Sequence, residues 1–222
     1  MKNIVTIDFD IIMAPSINLY NHMIGNTNWS NSFMNDPQLA LSRGDYAQYV
    51  QLTNWIMNVA QKMDPSQIHF IHSHEHVMNF IPEGDEELSV VNIDHHHDIS
   101  YNDKDSTETI ETLNCGNWVK YIAEHKNLAR YIWLNNTNST EPHEATRSML
   151  SVSCALQNYY LTTLSAPDVL VICLSEEWVP PTIRPLFFLW MDLLNRYYNC
   201  HFYLHLYYNI NFLLCQHHSP KA

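Results

Sequence analysis

Along this chain, short apolar and β-branched runs alternate with longer stretches of helical period. The runs Ile4 to Phe9, Ile68 to Ile71, Val90 to Ile93, Leu128 to Trp133, Val169 to Leu174 and Phe202 to Tyr207 predict strands. Between them, Asp45 to Met63 sets Tyr46, Tyr49, Val50, Trp55, Ile56 and Val59 at mainly helical spacings, and Arg184 to Tyr198 reads as a second amphipathic helix. Asn117 to His125 and Ala145 to Leu164 carry weaker helical patterns. Strand, loop, helix and strand in repetition predict an α/β fold built on a largely parallel sheet. Sheets of that kind bind ligands outside the carboxyl ends of their strands, so those ends are where chemistry is to be sought.

Four of the predicted strands run into acidic or imidazole groups. The first ends on Asp8 and Asp10, the second on "HSHEH" (His72 to His76), the third on "DHHHD" (Asp94 to Asp98), and the fifth on "SEEW" (Ser175 to Trp178). In Asp94-x-His96-x-Asp98, an extended chain turns alternate side chains to one face, which predicts convergence of those three with His95 and His97 facing away and dispensable for catalysis. Two carboxylates and an imidazole suit Mn²⁺, Fe²⁺ or Zn²⁺, with the carboxylates favouring manganese. A solvated, histidine-rich loop is the alternative. Asp8-x-Asp10 repeats the geometry, and carboxylates that close repel unless a cation lies between them. Its alternative is a strand end where Asp8 caps a turn and Asp10 is solvated. Any of His72, His74 and His76 could join them; one such histidine with Asp8, Asp10, Asp94, His96 and Asp98 would make the ligand set of a two-metal site.

Composition narrows the field. At 222 residues with 46% hydrophobic content, the chain can build one domain with a sizeable core, taken as residues 1–222 with a flexible tail over the last few. Lys and Arg number 11 against 23 Asp and Glu, for a formal charge of −12, and no segment gathers the basic residues, which argues against nucleic acid. Four glycines leave no room for a glycine-rich phosphate loop. Five irregularly spaced cysteines read as reduced thiols. Without a signal-peptide pattern or a long uncharged apolar window, the expectation is a cytoplasmic protein with no membrane partner. Self-association into a homo-oligomer is left open.

The residues bring a family into view. An aspartate pair in a [S/T]-x-D-x-D strand end, a D-x-H-x-D strand end and a histidine about 20 residues before it resemble the ligand set of the ureohydrolases, arginase and agmatinase among them. The chain is most similar to the branch that includes the peptide arginases of ribosomal-peptide (RiPP) biosynthesis. There the pattern "FD-x-H-x-D" precedes "ENW"; here "NIDHHHDIS" precedes "NCGNWV", Asn114 to Val119. The resemblance spans Thr6 to about Pro181.

It implies a three-layer αβα fold and a binuclear manganese centre. Asp94 would bridge the ions, with His74 and Asp98 on one and His96 on the other, and Asp8 and Asp10 would match the aspartate pair. Arginases carry that pair near the chain end, so its place here implies a circularly permuted order or a different role for the two residues. "DVLVICLSEEWVPP" (Asp168 to Pro181) resembles the last active-site strand, which places Glu177, or Glu176, against the substrate guanidinium; a carboxylate accepts its paired donors in bidentate fashion. Read without the family, the same stretch is a helix start with Ser175 as N-cap. Asn117 joins the substrate-binding set, and Asp10 and His74 the catalytic one, with Asp10 relaying a proton to the leaving amine. Trp118 and Trp178 read as core or rim packing.

The implied reaction is hydrolysis of arginine side chains in a precursor peptide to ornithine and urea by water activated between two Mn²⁺ ions. Alternatives are hydrolysis of a small guanidino compound or acylated amine, a metal-dependent phosphoesterase, and a non-catalytic binding protein stabilised by metal.

Overall fold

The computed structural model describes residues 1–13, 45–100, 107–136, 139, 142, 147–156, 158–176, 178–179, 183–199, 202 and 204–205. Seven strands form one sheet: β1 (Lys2–Asp8), β2 (Ile68–Ile71), β3 (Leu88–Ile93), β4 (Leu128–Asn135), β5 (Val152–Ala155), β6 (Val169–Cys173) and β7 (Leu204–His205). Their order is β5-β4-β3-β1-β6-β2-β7, and every pairing is parallel. The strands expected to end in chemistry, β3, β1, β6 and β2, are the four contiguous central ones. All four carboxyl ends therefore open on one rim of the sheet.

The central strands are apolar because both faces are covered. Along β1, Val5 and Ile7 face one core cluster while Ile4 faces the other, as the two-residue strand period requires. Helices α1 (Tyr46–Ala60), α3 (Asn158–Thr163) and α4 (Arg184–Tyr198) cover the first face. α2 (Trp118–His125) and the 3-10 turn His74–Phe80 cover the second. α1 starts where the Asp45 side chain accepts the Gln48 N–H at 3.0 Å, and it buries Tyr49, Leu52, Ile56 and Val59 at helical spacing. Tyr46 and Val50, which the sequence pattern counted with that face, are exposed. α4 buries Phe187, Trp190, Met191 and Leu194 and stops at Asn199, which adopts a left-handed conformation (φ 50°). The rings of Phe9, Phe187 and Trp190 meet edge to face, with centroids 5.0–5.5 Å from Phe9.

One expected element is different. The helix predicted over Ala145 to Leu164 is interrupted by β5, which pairs with β4 through Ile132↔Val152 to Asn135↔Ala155, and α3 supplies helix after it. The approach of Ser151, whose N–H donates to the Tyr131 carbonyl at 2.9 Å, brings this segment alongside the sheet edge, where ladder hydrogen bonds outweigh local propensity. Of the last predicted strand, Phe202 and Leu204–His205 are described, and the expected tail lies outside the described residues. Among the described residues, no helix is long and apolar enough to cross a membrane.

Candidate metal centre

Each strand end delivers its groups by a local turn rather than by continued extension. β1 stops at Asp8, and residues Phe9–Ile12 form a 3-10 turn capped by the Asp8 side chain, whose Oδ1 accepts the Asp10 N–H at 3.1 Å. The turn buries Phe9 in the core and leaves Asp8 and Asp10 together. The capping alternative considered for Asp8 and the clustering alternative are thus both realised by one residue. β3 stops at Ile93, and Asp94 Oδ1 accepts the His96 N–H at 2.7 Å. Asp98 sits at φ 51°, a left-handed conformation that aspartate tolerates better than most residues. The convergence expected from strand alternation is present, but a tight turn produces it.

Asp8, Asp10, His74, Asp94, His96 and Asp98 come together. His74 Nδ1 lies 3.3 Å from Asp8 Oδ2, 3.1 Å from Asp94 Oδ2 and 2.8 Å from Asp98 Oδ2. His96 Nδ1 lies 2.8 Å from Asp10 Oδ2 and 3.8 Å from Asp94 Oδ1. Two three-residue groups with ligand-like spacing result, Asp8–His74–Asp94 and Asp10–Asp94–His96, and Asp94 belongs to both, one carboxylate oxygen on each side.

The cluster could hold a metal ion, and three features fit one. His74 Nδ1 and Asp10 Oδ2 are buried and make no hydrogen bond despite their near neighbours, so those contacts lack the alignment of a shared proton. Donor atoms sharing one ion at bonds of about 2.1 Å stand roughly 3.0–3.4 Å apart, close to the observed spacings. Four buried carboxylates gathered around two imidazoles carry more negative charge than those rings can balance, which an ion would offset. The same crowding acts on protonation. Burial pushes the Asp94 carboxyl up, the charges of Asp98 and Asp8 push it further, and despite His74 it reaches about 7. Burial lowers the His96 imidazole, but Asp10, Asp94 and Asp98 outweigh it and raise it to about 10. His74 is likewise raised well above its ordinary value, its burial overcome by Asp8, Asp94 and Asp98.

The surrounding contacts orient the donors. Thr6 Oγ1 meets His74 Nε2 at 2.6 Å, which turns Nδ1 towards the carboxylates. Trp118 Nε1 donates to Asp98 Oδ2 at 2.7 Å, Asn92 Nδ2 to Asp94 Oδ2 at 3.1 Å, and Trp133 Nε1 to the Asp94 carbonyl at 3.0 Å. Thr6, present in the sequence only as the first residue of the [S/T]-x-D-x-D pattern, and Asn92 were given no role there, although a polar residue inside a strand buried on both faces signals a buried partner. Trp118 is a core residue as expected, with its indole N–H as an additional function.

The other candidates take different places. His72 pairs with Glu176, and the Glu176 carboxylate also accepts from Arg184 Nη1 at 2.7 Å while its carbonyl accepts from Nη2 at 2.6 Å. Arg184 Nε donates to the Val179 carbonyl at 2.9 Å, so Glu176 already grips a guanidinium belonging to this chain. Glu177 lies outside the described residues. Asn117 is fully buried, and its Oδ1 accepts the Asn114 N–H at 2.8 Å. Trp178 packs on His96, ring centroids 4.9 Å apart. Ser175 does not cap a helix: α4 begins at Arg184, and the Ser175 hydroxyl donates to Asp8 Oδ2. His95 and His97 are buried; His95 Nδ1 meets Asn136 Oδ1 at 2.9 Å, and His97 Nδ1 accepts the Ile99 N–H at 3.2 Å.

Fold and site together define an all-parallel α/β protein with a buried carboxylate–imidazole cluster at the carboxyl rim of its sheet. No family model, curated protein or solved structure matches the chain.

Proposed function

We propose that this chain is a binuclear manganese hydrolase of guanidinium groups that converts arginine side chains of a peptide to ornithine and releases urea. The observation that carries the metal-dependent part is the sharing of Asp94 between the two ligand groups. The choice of guanidinium chemistry rests on the resemblance of the strand-end motifs to the ureohydrolases.

When bound, two Mn²⁺ ions would supply Lewis acidity and an activated water. The ions would be held by His74, Asp8, Asp94 and Asp98 on the enclosed side and by His96, Asp10 and Asp94 on the more open side. With Nδ1 on an ion, His74 Nε2 would carry the proton and donate it to Thr6 Oγ1, which lies 2.6 Å away. Asp10, whose Oδ2 lies 2.8 Å from His96 Nδ1, would relay a proton to the leaving amine. Glu177 is the carboxylate for the substrate guanidinium, since Glu176 is engaged by Arg184. The engagement of Arg184 removes one of the basic groups that the phosphoesterase reading could offer to phosphate.

Under this reading the aspartate pair would need relocation of a single strand rather than a circular permutation. A circular permutation preserves cyclic order, and arginases place the pair ahead of the glutamate strand. Here the pair follows that strand cyclically, opening the chain on β1 beside β6. The expected result is urea release by manganese-loaded protein from an arginine-containing peptide in preference to free arginine and agmatine. Release from none of the three would end this reading.

A further inference from the structure

In the loop after β6, the Ser175 carbonyl accepts the Trp178 N–H at 2.8 Å and the Val179 N–H at 3.1 Å, and the residue pairs this turn with an unusual backbone. Ser175 adopts φ 47°, a left-handed backbone in which an L side chain crowds the following carbonyl and which glycine would occupy without cost. Ser175 is also buried, and its hydroxyl donates to Asp8 Oδ2. That oxygen is the one facing His74 Nδ1, while the other, Oδ1, is held by the Asp10 N–H at 3.1 Å. Both oxygens of Asp8 are therefore fixed, one by its own turn and one from the neighbouring strand.

The donor for the hydroxyl itself is present too. Cys173 Sγ lies 3.3 Å from Ser175 Oγ. Because the only Ser175 hydroxyl proton is committed to Asp8, the thiol is the donor in that contact. Burial pushes the Cys173 thiol well above its ordinary value, which keeps its proton in place. A buried thiol, a strained serine and a carboxylate thus form one directed chain, Cys173 to Ser175 to Asp8, that ends at the oxygen used by the cluster.

We propose that Ser175 is a positioning residue for the metal centre, holding Asp8 Oδ2 towards His74, and that its left-handed backbone is retained for this contact. The inference rests on the metal-binding part of the function proposed above. Outer hydrogen bonds of this kind typically alter metal affinity by roughly 10- to 100-fold.

Ser175→Gly and Ser175→Ala separate the two explanations of the conformation. Glycine relieves the backbone and removes the hydroxyl; alanine removes the hydroxyl and keeps the strain. Mn²⁺ affinity measured by calorimetric titration, with thermal unfolding of the metal-free protein alongside, is expected to show a roughly 10- to 100-fold loss in both variants. The metal-free melting temperature of Ser175→Gly should equal or exceed that of the wild type. A Ser175→Gly protein with wild-type affinity, or one that does not fold, overturns the inference. Wild-type protein that takes up no Mn²⁺ overturns the metal reading and this inference together, so the two failures are distinguishable.

Discussion

The run His95-His96-His97 shows how one residue step separates three roles. His96 turns to Asp10 and Asp94, His95 to Asn136, and His97 packs against Trp133 with ring centroids 5.6 Å apart. His96→Ala and Asp94→Asn each remove a donor to the cluster, and Asp94 serves both groups. Either substitution should lower activity by at least about 100-fold and cost at least one metal per chain, as read by elemental analysis. His95→Ala and His97→Ala should keep full metal content. Both rings are buried and hydrogen-bonded, so each loss should lower stability by about 1–3 kcal/mol in denaturant unfolding. On this expectation the two rings serve the fold rather than the metal. Glu177→Gln separates a substrate contact from a ligand: metal content should stay while urea release falls, and loss of metal would make Glu177 a ligand.

At the scale of elements, the legible parts were those with strong periodicity. α4 was read at its observed bounds, and β2 likewise, because Arg184 to Tyr198 keeps one apolar face and Ile68 to Ile71 is a short run broken by a single polar residue, His69. β5 was not legible, since Val152–Ala155 is short and its identity comes from the β4 edge rather than from its own pattern. The six clustered residues were legible by type and position, though the turns that gather them were not: an Asp8 cap and an Asp94 carboxylate on the His96 N–H are local contacts that spacing alone does not reveal. Ser175 was missed as a partner of Asp8 because 167 residues separate them along the chain. Phe9 links element and site most directly, lying between Asp8 and Asp10 and anchoring their turn against Tyr49, Phe187 and Trp190. Phe9→Ala should cost about 3–5 kcal/mol of unfolding free energy. It should also weaken Mn²⁺ binding, whereas Phe187→Ala, at a similar cost in stability, should leave metal affinity closer to wild type.

For the molecule as a whole, the cluster ties together strand ends from positions 8, 74 and 94, so its occupancy and protonation act on global stability. In the metal-free protein, Asp94 rises from an ordinary 3.8 to about 7 and His96 from 6.5 to about 10. Both groups bind protons more tightly folded than unfolded. Their stabilisation is complete below the unfolded value and is lost as pH climbs through the folded one. His95, whose imidazole burial lowers, acts in the opposite sense: its contribution is present above 6.5 and fades below. Above pH 6.5 the cluster therefore works in one direction, and the metal-free protein should melt at progressively lower temperature as pH rises towards about 10. Manganese reverses the preference, because it needs the deprotonated donors and its affinity grows with pH. A ligand at 100 times its dissociation constant adds about 2.7 kcal/mol to the folded state. The gap in melting temperature between manganese-loaded and chelator-treated protein should accordingly widen between about pH 6.5 and 8.5. Scanning calorimetry of the two forms across that range reads the gap directly, and a gap that stays constant or narrows would place the bound ion away from Asp94 and His96.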